Sequence, residues 1–168
     1  MSRSGPRLSD TGVRALDRRA DKGRPTKFSN GRPDGGGETT GENAERIKEG
    51  IEHFNRGNIP AVLELYDPAA HIESSGTIAG GTFRGREGVQ EWMQKIGTTW
   101  PEGLRLHVEN LHETGDLVFV EWTQEGNLAN GKESKQKSLN VFELHGGKVR
   151  SHRLYTDSEK IARDLGKM

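Results

Sequence analysis

Gly115-Asp116-Leu117-Val118-Phe119-Val120-Glu121-Trp122-Thr123-Gln124-Glu125 is a turn pair followed by an unbroken alternation. In an extended chain Val118, Val120, Trp122 and Gln124 fall on one face, and Phe119, Glu121, Thr123 and Glu125 on the other. A period of two, rich in β-branched and aromatic residues, marks a half-buried strand. Comparable runs flank it: Leu104 to His112 before, then Ser134 to Leu144 and Lys148 to Thr156 after. Gly115-Asp116, Asn130-Gly131 and Gly146-Gly147 supply the residues that tight reversals need, so the four runs are predicted to follow one another as antiparallel hairpins.

Upstream the period changes. Between Glu42 and Arg56, Ile47, Ile51 and Phe54 recur at helical spacing until Gly57 stops the pattern. Pro60 suits the first turn of a second short helix that runs through Tyr66 and ends at Asp67-Pro68. His71-Ile72-Glu73-Ser74 reads as a brief strand, Gly76 to Gly81 as a loop, and Arg86 to Ile96 as a third helix with Val89, Trp92, Met93 and Ile96 on one face. A last helix spans Ser158 to Leu165. Helices mostly first and strands mostly second imply an α+β fold, with helices on one face of an antiparallel sheet.

The chain has 168 residues. Residues 1–41 carry nine Arg/Lys against five Asp/Glu, eight glycines and three prolines, with almost no large apolar side chains. Such a segment cannot bury enough surface to offset its own ordering and reads as a disordered basic tail. Residues 42–168 carry sixteen basic and twenty acidic residues and form the one folded domain. Neither part is charged enough to call for a nucleic-acid partner. Cysteine is absent, which removes disulfides, thiolate metal sites and thiol nucleophiles. No apolar run is long enough to span a bilayer, so no membrane association is expected and the cytoplasm is the expected location. Gly80-Gly81-Thr82-Phe83-Arg84-Gly85 lacks the ending of a phosphate-binding loop and reads as the turn into the third helix.

Five strings, taken in order, resemble the SnoaL-like branch of the ketosteroid-isomerase and nuclear transport factor 2 superfamily. They are Phe54-Asn55-Arg56-Gly57-Asn58, Val62-Leu63-Glu64-Leu65-Tyr66-Asp67-Pro68, Phe83-Arg84-Gly85-Arg86-Glu87-Gly88, Gly115 to Trp122, and Val141-Phe142-Glu143-Leu144-His145-Gly146-Gly147-Lys148-Val149. The resemblance implies a cone: a curled antiparallel sheet with helices on its concave face, enclosing a pocket for a compact, largely apolar molecule with a few polar anchors. The superfamily hosts isomerases, cyclases, epoxide hydrolases and binding modules, so function turns on the pocket residues.

By that resemblance, Ser74, Gly50 and Asn140 occupy the positions where ketosteroid isomerases keep a carboxylate base, a tyrosine and a protonated aspartate. Trp122, Gln124 and Leu154 stand where limonene-epoxide-hydrolase relatives keep an arginine and two aspartates. Neither catalytic set is retained. Relative to polyketide cyclases of this branch, Asn140 replaces a histidine and Asp157 matches an aspartate at the end of the last strand.

Alternation on that strand puts His152, Leu154 and Thr156 toward the cavity, which makes His152 with Asp157 the expected acid–base pair. The blander reading of Asp157 is the N-cap of the helix that begins at Ser158. His53, Ser74, Trp122, Gln124, Asn140 and Leu154 are the expected substrate contacts. Amides on the wall orient carbonyl groups well and move protons poorly. No third ligand joins His71 and Glu73, so no metal is expected, and no cofactor is implied. The expected activity is cofactor-independent acid–base chemistry of the cyclase or isomerase type on a small-molecule ligand. The alternatives are a non-catalytic ligand-binding domain and an assembly module that forms a homodimer through the outer sheet face at Phe119 and Val141, with the basic tail docking to an acidic partner.

Overall fold

A computed structural model describes residues 41–168, and the predicted disordered tail lies outside the described residues apart from Gly41. Its elements are α1 (Glu42–Asn55), α2 (Ile59–Leu65), β1 (Tyr66–Ser74), β2 (Gly81–Arg84), α3 (Gly85–Thr99), β3 (Arg105–Thr114), β4 (Leu117–Asn127), β5 (Glu133–His145), β6 (Lys148–Thr156) and α4 (Ser158–Asp164). The six strands form one sheet in the order β2-β1-β6-β5-β4-β3.

The meander from β3 to β6 is antiparallel throughout, as the alternation implies. Two features depart from the sequence reading. β1 joins the far side of β6 in parallel, so the sheet is not purely antiparallel. Gly81–Arg84, read as a turn, is a short edge strand antiparallel to β1, with Thr82 opposite Glu73. Bulges between Val108 and Asn110 and between Glu143 and Leu144 bend the strands they interrupt, which helps curl the sheet.

Helix α1 has no side-chain cap of its own. The Glu113 carboxylate of β3 accepts instead from the backbone N–H of Ala44 at 2.9 Å, placing a negative charge on the positive end of the helix. A Cβ at Gly41 would overlap that carboxylate, so a larger residue there would shift the Glu113 side chain. At the other end, the Asn55 side chain exchanges two 2.8 Å hydrogen bonds with the backbone of Leu106, fixing α1 to the start of β3. Asn58 caps α2 by accepting from Ala61 N–H.

The main core lies between these helices and the inner sheet face, with Ile47, Ile72, Val89, Leu111, Val118 and Val120 each at most 1% exposed. A smaller cluster of Trp100, Leu128 and Ile161 has Ile78, Leu104 and Leu165 packed against it. Among the described residues no helix is long and apolar enough to cross a membrane.

Candidate active site

Between the helices and the sheet lies a cavity of about 70 Å³, measured as space open to the centre of a water molecule. Tyr66, Ser74, Gln124, His152 and Thr156 are the polar side chains of its wall, and no Asp, Glu, Lys or Arg among the described residues contributes to it. The rest is aliphatic or aromatic and includes all three tryptophans of the chain, Trp92, Trp100 and Trp122. A charged ligand would be buried there with no counter-charge, which strongly disfavours it.

His152 sits at the base, 1% exposed, its ring stacked on Phe142 at 4.0 Å between centroids and met edgewise by Trp92 at 5.2 Å. Both ring nitrogens are engaged. The Tyr66 hydroxyl donates to Nδ1 at 2.9 Å, and Nε2–H donates to Asn140 Oδ1 at 2.9 Å. In the neutral ring this arrangement puts the proton on Nε2, leaving Nδ1 to accept from Tyr66. Burial favours the same state, because it pushes the imidazole down to about 3 and the Tyr66 phenol well above its ordinary value.

Further along the wall, Gln124 Oε1 accepts from Trp122 Nε1–H at 3.3 Å and from the Ser138 hydroxyl at 2.9 Å. Trp92 Nε1, Trp100 Nε1 and Asn140 Nδ2 are buried donors without a protein acceptor.

Of the residues expected at the site, His152, Ser74, Trp122, Gln124 and Leu154 line the cavity, and Asn140 lies buried immediately behind His152. Two expectations need correction. Asp157 is exposed and caps α4, accepting from Lys160 N–H at 2.9 Å, so it does not pair with His152; N-capping, the blander reading, is what the residue does. His53 is half-buried and absent from the cavity wall, its Nδ1 instead 3.4 Å from Asn58 Nδ2.

Tyr66, rather than Asp157, is the residue hydrogen-bonded to His152 at the cavity. The sequence reading ends the second helix on it, and exposed Pro68 and Ala69 separate it from the alternating Ala70, Ile72 and Ser74. Tyr66, Ala70, Ile72 and Ser74 are all buried along β1.

The family assignment rests on a sequence profile. The profile of the SnoaL-like domain matches residues 47–152, more than half of the chain. The chain belongs to the SnoaL-like domain family. Among curated proteins, none matches it significantly by sequence.

Solved structures similar to this SnoaL-like domain include a nuclear transport factor 2-like protein of unknown function from Burkholderia pseudomallei K96243. It is 22% identical with a TM-score of 0.69, over 74% of this chain and 97% of that one. IdmH of Streptomyces antibioticus, to which a polyketide cyclase activity is ascribed, is 25% identical with a TM-score of 0.64, over 75% and 99%. A protein of ketosteroid isomerase-like fold from Catenulispora acidiphila DSM 44928, in complex with trimethylamine, is 16% identical with a TM-score of 0.64, over 73% and 92%.

The SnoaL-like cavity has two walls bearing on access. Ser75 to Gly81 forms a strap across it, contributing Ile78 and Ala79. Gly76 has φ +89°, and a Cβ there would overlap the Ser158 side chain, so the strap lies tight against the start of α4. On the helix side, a surface groove of about 880 Å³ shares Phe54, Met93, Ile96, Trp100 and Leu104 with the cavity. Those five side chains are a one-layer septum between groove and cavity.

Proposed function

We propose that this domain is a cofactor-independent enzyme of the cyclase or isomerase type, acting by proton transfer on a compact, neutral, largely apolar molecule. Tyr66 and His152 are its proton-handling pair. The observation that carries this reading is the Tyr66–His152–Asn140 chain at a largely apolar cavity without charged side chains. The likeness to IdmH, whose ascribed activity is polyketide cyclisation, supports the same class.

Tyr66 oxygen is the atom that meets the substrate. A proton leaving an acidified carbon of the ligand passes to that oxygen while the Tyr66 proton passes to Nδ1 of His152. The electrons of the broken C–H bond move into an enolate, or into the new carbon–carbon bond of a ring closure. The reverse transfer returns the proton to another ligand atom, so the net change is an isomerisation or cyclisation with no co-substrate. A buried imidazolium is costly, and Asn140 Oδ1 offsets part of that cost by accepting from Nε2–H. The scheme therefore favours substrates whose leaving proton is already acidic.

A cavity of about 70 Å³ holds a few water molecules or a very small ligand, well below the usual volume of a small-molecule site. Larger substrates enter only as the septum or the strap gives way.

A second reading is non-catalytic ligand binding. It draws on the absence of any carboxylate from the cavity wall and on the engagement of both His152 nitrogens. A homodimer through the outer sheet face is compatible with either reading.

Deuterium incorporation into 1-tetralone, an enolisable bicyclic ketone, separates the two. Under the enzymatic reading the full chain accelerates exchange at the carbon beside the carbonyl, and Tyr66→Phe abolishes most of the acceleration. If 1-tetralone binds but exchanges at the uncatalysed rate, the binding reading replaces the enzymatic one.

A further inference from the structure

We infer that Gln124 is a specificity-determining residue that makes the cavity select ligands by a carbonyl-type oxygen, discriminating ketones from the corresponding alcohols and hydrocarbons. This rests on the reading of the cavity as a small-molecule site, and not on whether that site is catalytic.

An amide side chain is ordinarily ambivalent, because turning it over exchanges donor for acceptor. Gln124 is not free to do so. An indole N–H can only donate, so the atom facing Trp122 Nε1 has to be the amide oxygen. The Ser138 hydroxyl, on the strand paired with β4, donates to the same oxygen. Both lone pairs of Oε1 are thereby used, and the group left to a ligand is the NH₂. Turning the amide would set N–H against N–H at Trp122 and leave two buried donors without an acceptor, in a residue 5% exposed.

Two further buried donors belong to residues of the cavity wall, while the unsatisfied acceptor Gln136 Oε1 belongs to a residue outside it. Trp92 and Trp100 line the cavity, and their indole N–H groups are buried without acceptors. Tyr66 spends its one proton on His152 and retains a lone pair. The Gln124 NH₂ is thus a fixed donor on this wall, and a ligand satisfies it by bringing an oxygen that accepts. Without charged side chains the ligand is neutral, and an oxygen that gains negative character during enolisation is held more strongly by the same N–H groups.

The test compares 1-tetralone, 1-tetralol and tetralin, which share one skeleton and differ at a single oxygen, by calorimetric titration of the full chain. Wild type is expected to bind the ketone about tenfold more tightly than either of the others, since a site built to hydrogen-bond an oxygen rejects the analogue that lacks or misdirects it. Gln124→Met, close in shape and unable to donate, is expected to bring the ketone down to the affinity of tetralin. Ser138→Ala with Trp122→Phe removes both partners that hold the amide, and the alcohol is then expected to bind as tightly as the ketone because Gln124 is free to turn. Equal binding of all three compounds by wild type overturns the selectivity and leaves the cavity reading standing. Binding of none of them refutes the opening of the cavity to a bicyclic ligand and, with it, the selectivity inferred here. If Gln124→Met does not fold, the Ser138→Ala change with Trp122→Phe still decides, because retained discrimination there refutes the lock.

Discussion

The Tyr66 hydroxyl lies 2.9 Å from Nδ1 of His152, two residues 86 apart in sequence brought together because β1 runs parallel to β6. Tyr66→Phe keeps the ring and removes only the hydroxyl, leaving a buried Nδ1 without a donor. An unsatisfied buried acceptor costs about 1–3 kcal/mol. The variant is expected to fold, to lose stability by that order in chemical denaturation, and to lose the exchange activity almost wholly. Unchanged stability would mean that water replaces the hydroxyl and that the base of the cavity is wetter than its lining implies.

The buried imidazole makes stability depend on pH in a defined direction. In the unfolded chain His152 titrates near its ordinary 6.5, whereas in the fold burial holds it near 3. The unfolded state therefore binds more protons throughout that interval. Stability contributed by keeping His152 neutral is fully present above about pH 6.5 and is lost as pH falls toward 3. The slope from this one group approaches about 1.4 kcal/mol per pH unit. Denaturation of wild type and His152→Gln in parallel is expected to give a shallower acid slope for the variant. Equal slopes would show that His152 is not neutral in the fold. With His152 and Tyr66 both shifted out of the neutral range, catalysis is expected to be flat between about pH 5 and 9 on the enzyme side.

Much of this was legible in the sequence, and what was not has physical reasons. The hairpin strands announce themselves through alternation and turn glycines, and the inward face of β6 gave His152 and Leu154 directly. The wall residues Ser74, Trp122 and Gln124 came from the family resemblance. The parallel pairing of β1 with β6 is a non-local contact that no local pattern encodes, and with it went the role of Tyr66. β2 has four residues and one apolar side chain, Phe83, too little for a periodic signal. Asp157 was misplaced because one residue type serves as an acid and as a helix cap, and its position directly before α4 decided for the cap.

The septum predicts how access is controlled. Met93 is the most adaptable of its five side chains, and the groove outside is already open. Met93→Ala removes part of the barrier without touching Tyr66, His152 or Gln124. Faster association of 1-tetralone in stopped-flow tryptophan fluorescence is the expected result, with a modest loss of stability from the vacated space. An unchanged association rate, with Gly76→Ala altering it instead, would move the entrance to the strap.

The outer sheet face carries the remaining prediction. Leu139 and Tyr155 are opposite one another on β5 and β6 and are 40% and 49% exposed, among the few large apolar side chains so placed among the described residues. Beside them Phe119 is half-buried and paired with Val141. Around this patch Arg153 and Lys137 stand with Glu121 and Glu143, so both signs of charge are present and a copy related by a two-fold axis can meet opposite charges. A second copy of this chain is the occupant we propose. Sedimentation is expected to give a dimer for wild type and a monomer for Leu139→Lys combined with Tyr155→Lys, with 1-tetralone binding retained because neither residue lines the cavity. A monomeric wild type at high concentration would show that the patch is ordinary exposed apolar surface. Loss of ligand binding with loss of the dimer would mean instead that association supports the cavity from outside.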